Sequence, residues 1–125
     1  MKIPQTYQEI EVWFIIPVIR AELAKAMIEK GSKQKEAADI MELTEAAVSN
    51  YIKGKRAKSK IKFNEKINKE IKKSALKLME NKTSLSTEMQ RIIYIVKKSG
   101  LVCSLHKAYN KSVNKNCCIC SKEHL

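Results

Sequence analysis

Apolar residues recur along this chain at the i, i+3, i+4 spacing of helices, with no strict alternation of the kind a half-buried strand needs. The first block is the densest. Ile10, Val12, Trp13, Phe14, Ile15 and Ile16 are nearly continuous, and Ile19, Leu23, Ala24, Met27 and Ile28 follow at helical spacing. The pattern predicts a helix from about Tyr7 to a stop at Gly31, either kinked at Pro17 or restarted with Pro17 as the first residue of a fresh helix. The run is too short to span a bilayer and too apolar to be left in water, so it either covers the core or forms a subunit contact.

The next block, GSKQKEAADIMELTEAAVSNYIKGKR, fills residues 31–56. Ala37, Ala38 and Met41 share one helical face, and Val48, Tyr51 and Ile52 share another, with a short break between the two segments. Ala38 is small enough for a second helix to cross closely, and Leu43 supplies an apolar plug for the turn. Ser32 and Thr44 stand where N-caps are wanted, and Gly54 stands where the second helix should stop. Two short helices joined this way have the length and spacing of a helix-turn-helix.

Position for position, this stretch resembles the lambda-repressor-like (XRE-type, Cro/C1-type) helix-turn-helix family. Gln34 matches the start of the first helix, Ala38 the crossing, Thr44-Glu45-Ala46-Ala47-Val48-Ser49 the opening of the recognition helix, and Gly54-Lys55-Arg56 the exit. With its WFIIPVIRAELAK segment and cysteine-bearing tail, the wider chain is similar to small archaeal predicted transcriptional regulators of that class. The resemblance implies that Glu45, Ala46, Ser49 and Asn50 read base edges. It implies further that Gln34 and Thr44 fix the frame on phosphates. The chemistry of the reading residues agrees: Asn50 can pair with adenine, Glu45 can accept from cytosine N4, and the Ala46 methyl can meet a thymine methyl. One departure is Glu42, which stands where the family usually has Gly. A non-Gly residue in a left-handed turn costs roughly 1 kcal/mol.

Beyond residue 56 a basic loop precedes Asn64, a candidate cap for a helix whose Ile67, Ile71, Ala75 and Leu78 recur at helical spacing. A break at residues 80–84 suggests a domain joint, dividing the chain into 1–80, the helix-turn-helix domain, and 81–125. Ser86 or Thr87 is the expected cap of a last helix carrying Met89, Ile92, Ile93 and Val96 on one face and ending at Gly100. The predicted fold is all-α: a lambda-repressor-like domain, a further helix and a small Cys/His metal-binding tail.

Composition sharpens this picture. The chain of 125 residues carries a net charge of +12. From Lys53 to Lys77 there are eleven Lys or Arg residues against two acids, Glu65 and Glu70. Beginning where the recognition helix ends, the run reads as a phosphate-contacting surface, with Lys53, Lys55, Arg56, Lys58 and Lys60 supplying sequence-independent attraction. No apolar run is long enough for a membrane helix, and Glu9 and Glu11 before a short apolar stretch with no cleavage site argue against a signal peptide. A cytoplasmic protein is expected. No Gly-rich phosphate loop, nucleophile elbow or paired-carboxylate motif is present, so the chain does not read as an enzyme.

All four cysteines fall in the last quarter. Cys103-x2-His106 and Cys117-x2-Cys120 are two ligand pairs with the spacing logic of a closed tetrahedral zinc site. Cys118 does not fit that scheme; with it, the four cysteines could instead hold a [4Fe-4S] iron–sulfur cluster. A thiol switch is the remaining reading, and His124 reads as an exposed terminal residue. Together these features predict a sequence-specific transcriptional regulator of double-stranded DNA. It is expected to be a homodimer through the apolar N-terminal segment, the final helix, or both, with Trp13, Phe14 and Ile92 as the residues to change to charge, and with a metal-binding tail that is either structural or a sensor of metal or redox state. A basic adaptor of the transcription or RNA machinery with a structural zinc, and an antitoxin-type regulator, are the alternatives.

Overall fold

The computed structural model describes residues 5–53 and 63–109, and every regular element among them is a helix. The first begins as α1 (Tyr7–Ile10), widens into a π-helical segment (Glu11–Ile15) and continues as α2 (Ile16–Glu29). Thr6 sets the start: its hydroxyl accepts from the Glu9 N–H at 3.2 Å, and the Glu9 carboxylate accepts from the Thr6 N–H at 3.1 Å. Two donors that the helix cannot satisfy are thereby paired. The widened turn lies directly before Pro17, which has no N–H to offer the turn behind it. The Ile16 N–H reaches back to the Glu11 carbonyl instead, and the helix runs on without a break.

Five helices follow: α3 (Gln34–Ile40), α4 (Glu45–Ile52), α5 (Glu65–Met79), α6 (Leu85–Lys98) and α7 (Leu101–Tyr109). Central to the packing is α2, which touches α3, α4, α5 and α6, while α7 packs on α6 and returns to α1. Ile19, Leu23 and Met27 of α2 are fully buried together with Val48 of α4, Ile67 and Ile71 of α5, Ile92 and Val96 of α6, and Val102 of α7. Each such side chain contributes about 1.5–3 kcal/mol by leaving water.

Among the described residues, four turns use a left-handed residue after the helix. Gly31 (φ 101°) and Gly100 (φ 84°) adopt it without penalty, whereas Glu42 (φ 54°) and Asn81 (φ 58°) do so with side chains. At Glu42 the arrangement is fully hydrogen-bonded: its own N–H donates to the Asp39 carbonyl at 3.2 Å and the Leu43 N–H to the Ala38 carbonyl at 2.9 Å. Two turn-forming bonds thus hold a conformation that the side chain disfavours. The break at residues 80–84 is a turn of the same kind, and buried residues on both its sides belong to one core.

Several expectations from the pattern are corrected. Ser32 does not cap α3: the cap position is Lys33, with no side-chain bond, and the buried Ser32 hydroxyl donates to the Lys33 carbonyl at 3.1 Å. The cap of α6 is Ser84, not Ser86 or Thr87; its hydroxyl accepts from the Thr87 N–H at 3.1 Å. The helix α6 is followed by α7 after Gly100, so it is not the last. Ile92, expected at a subunit contact, is fully buried within the chain, because α6 turns that face onto α5 and α2. Gly54, the expected stop of α4, lies outside the described residues; α4 ends at Ile52 with Lys53 as its cap.

Candidate nucleic-acid interface

The pair α3–α4 is built by burial on one side and capping on the other. Ala37, Ala38 and Met41 face inward from α3 and its cap, and Ala47, Val48 and Tyr51 face inward from α4. Thr44 closes the front of α4, its hydroxyl accepting from the Ala47 N–H at 3.0 Å. Leu43 is half-buried against the core inside the four-residue turn. Since one face of α4 is committed inward, with Ile52 partly packed on the core at its end, the opposite face is left to solvent. Glu45 and Ala46 are exposed, Ser49 and Asn50 half-exposed, and Gln34, Thr44 and Lys53 exposed around them. Seven of the sequence-predicted site residues therefore reach solvent, from α3, α4 and the positions flanking α4. Lys55, Arg56, Lys58 and Lys60 lie outside the described residues.

The basic run divides. Its α5 portion faces away from the core: Lys66, Lys69, Lys72, Lys73 and Lys77 are all exposed, opposite the buried Ile67, Ile71, Ser74, Ala75 and Leu78. Of the two acids within the run, Glu70 is drawn sideways to α6, where Arg91 Nη1 donates to it at 2.6 Å.

That contact belongs to a polar cluster that the sequence did not disclose. Glu88 is only 3% exposed, yet its carboxylate accepts from Ser74 Oγ at 2.6 Å, Thr83 Oγ1 at 2.9 Å and Arg91 Nη2 at 3.2 Å. Burial pushes the Glu88 carboxyl up, but the hydroxyl donors and the Arg91 charge outweigh it and hold it below the usual carboxylate range. Hydrogen bonding from Arg91 likewise lowers Glu70, despite some burial. The cluster ties α5, α6 and the turn between them. Acid–Arg spacing at 88 and 91 was the only sequence signal, and it is indistinguishable from an ordinary surface pair. On the other side of α6, Lys97 Nζ sits 4.2 Å from the Tyr7 ring centroid. Burial pushes the nearby Glu11 carboxyl up, and the Lys97 charge offsets that only in part.

The candidate ligands are split in the same way. Cys103 and His106 lie one turn apart on α7, 9% and 8% exposed, facing the core. Cys117, Cys118, Cys120 and His124 lie outside the described residues. Among the described residues no cluster of three or more His, Cys, Asp or Glu could hold a metal, and no helix is long and apolar enough to cross a membrane.

Comparison with known proteins adds no relative: no family model matches the chain, and no curated protein or solved structure matches it significantly.

Proposed function

We propose that the protein is a sequence-specific DNA-binding transcriptional regulator in which α3 and α4 form the helix-turn-helix. The observation that carries this reading is the two-sidedness of α4: Ala47, Val48 and Tyr51 are buried while Glu45, Ala46, Ser49 and Asn50 are left accessible along a face that starts at its N-terminus. That is the part of a recognition helix that meets base edges. The exposed Gln34, Thr44 and Lys53 flank it, and Lys55 and Arg56 follow directly in sequence, giving phosphate contacts at both margins.

A selected duplex site and a scrambled duplex, titrated against wild-type protein and Asn50→Ala, test the reading. The substitution should reduce discrimination by about 1–3 kcal/mol, the worth of one bidentate base contact, and leave scrambled-site affinity nearly unchanged. Equal loss on both duplexes, with the fold intact by circular dichroism, refutes base reading by Asn50. Stronger binding to RNA than to duplex DNA favours the adaptor reading.

The functional unit is a homodimer joined through the N-terminal segment. Val12 and Trp13 are 59% and 36% exposed beside the half-buried Phe14, an arrangement that suits an isologous contact. Two recognition helices paired about 34 Å apart would span adjacent major grooves.

The tail binds a metal ion. Cys103 and His106 turn to the same side of α7, as two ligands of one ion must, and Cys117 and Cys120 complete a zinc set. A [4Fe-4S] cluster would use Cys118 and spare His106. Metal analysis of anaerobically purified His106→Ala and Cys118→Ser decides between them: the zinc reading requires the first to lose metal and the second to keep it. Metal retained by both variants refutes the ligand assignment.

A further inference from the structure

We infer that the outer face of α5 is a second duplex-binding surface, a rail of lysines that follows one sugar-phosphate strand outside the segment read by α4. The inference extends the DNA-binding reading to a helix that reads no bases. Lys66, Lys69, Lys73 and Lys77 stand at i, i+3, i+7 and i+11, so they form one stripe along the helix, with Lys72 beside it. At 1.5 Å per residue the stripe is about 16 Å long. Successive charges along it are about 4.5–6 Å apart, with Lys72 set to one side. The stripe thus presents a straight row of charge opposite in sign to that of a duplex strand.

Of the two acids on α5, Glu65 stands at its first position ahead of the stripe, and Glu70, within it, is neutralised from the side. Glu70, flanked by Lys69 and Lys73, is held by Arg91 Nη1 at 2.6 Å, while Lys73 approaches its other oxygen at 3.7 Å. Lys66, Lys69, Lys72 and Lys77 take part in no salt bridge among the described residues. At its N-terminal end the rail opens into a groove of about 400 Å³ lined by Asn64, Lys66, Tyr94 and Lys98. Lys98 Nζ lies 5.5 Å from the Tyr94 ring centroid and adds a further cation there. A straight row of cations on a rigid helix suits the stiff, continuously charged backbone of a duplex, whereas an acidic peptide supplies no such line of charge.

The test is the salt dependence of binding to a mixed-sequence DNA duplex, measured by fluorescence anisotropy with the full chain. Lys66, Lys69 and Lys77 are changed together to Gln, a residue that keeps helix propensity. A control changes Lys30, Lys82 and Lys107 to Gln, removing the same charge elsewhere. At about 0.9 per phosphate contact, the rail variant should lower the slope of log K against log salt by roughly 2–3, and the control should leave it nearly unchanged. Equal slopes for rail variant and wild type overturn the rail, as do equal reductions in rail variant and control. A slope reduction confined to duplex RNA also overturns it. Discrimination lost in Asn50→Ala alongside an unmoved rail slope keeps base reading and refutes the rail. A reduced rail slope with no effect of Asn50→Ala does the reverse.

Discussion

Replacing Arg91 with Met should produce a stability loss whose size depends on pH in a direction fixed by Glu88. In the wild type the carboxylate of Glu88, at 3% exposure, is tolerated because Ser74, Thr83 and Arg91 all donate to it. Arg91→Met removes the only cation and keeps a side chain of similar length, so the packing loss is small. Breaking a buried pair by deleting one partner costs about 3–5 kcal/mol. Here the two hydroxyl donors remain and the Arg91 side chain is 32% exposed, so a loss of about 2–3 kcal/mol at pH 7 is the appropriate value.

The pH dependence follows from the sign of the shifts. Glu88 and Glu70 are held below the ordinary glutamate value in the folded wild type, Glu70 by hydrogen bonding from Arg91 and Glu88, against burial, by its hydroxyl donors and Arg91. The stability they contribute is therefore present above that value and lost as the pH falls below it. In the variant, burial acts on Glu88 without the compensating charge and its carboxyl moves up. Acid then neutralises a group that the variant holds at a cost, so the gap between variant and wild type should narrow from pH 7 to pH 4. Urea unfolding followed by circular dichroism at both pH values measures this, with Glu88→Gln/Arg91→Met as the double variant that should recover part of the loss. A penalty below about 0.5 kcal/mol, the usual range for a surface substitution, refutes the reasoning, and so does a penalty that is the same at both pH values.

Two further outcomes are expected. Glu42→Gly should stabilise the protein by about 0.5–1 kcal/mol, because the strain of a left-handed non-Gly residue exceeds the entropy that Gly adds to the unfolded chain; thermal unfolding reads the sign directly, and destabilisation would contradict it. If the proposed dimer forms through the N-terminal segment, Val12→Glu should leave the helical content unchanged but shift the protein to monomer in sedimentation equilibrium and weaken operator binding, since a residue 59% exposed loses little within the chain and a symmetric contact places the charge twice; an unchanged dimer, or a wild-type monomer, would contradict this contact.

How much of this was legible in the sequence depends on the range of the interaction concerned. Asn64 and Thr44 were readable as caps because a cap is a contact within three residues, and both make it. The inward face of α5 was readable because burial on a helix leaves a 3.6-residue period, and Ile67, Ile71, Ala75 and Leu78 are all buried. Glu42 was readable as a departure from Gly, and its φ of 54° is where a Gly would be wanted. The cap of α6 was harder, since Thr83, Ser84, Ser86 and Thr87 offer four hydroxyls within five positions. What selects Ser84 is the packing of Leu85 against the core, a tertiary fact. Glu88 and Arg91 looked like any surface pair, because their partners Ser74 and Glu70 come from another helix.

The helix α7 shows why local spacing can support two incompatible pictures. Cys103-x2-His106 is a metal-ligand pair by its spacing, but i, i+3 is equally the spacing of one helical face. Leu101, Val102 and Leu105 around them supply the apolar period, and Val102 is fully buried in the shared core. Gly100 was readable as a stop for α6, but a left-handed residue also lets the chain turn and begin again, as it does here with the Ser99 hydroxyl accepting from the Leu101 N–H at 3.3 Å. Burial places Cys103 and His106 against α1 and α6 whatever they ligate, so any ion they share with Cys117 and Cys120 would be anchored to the core. Loss of that ion should then register in the packing of α7 on α1 and α6, and hydrogen exchange of the α7 amides reads it directly.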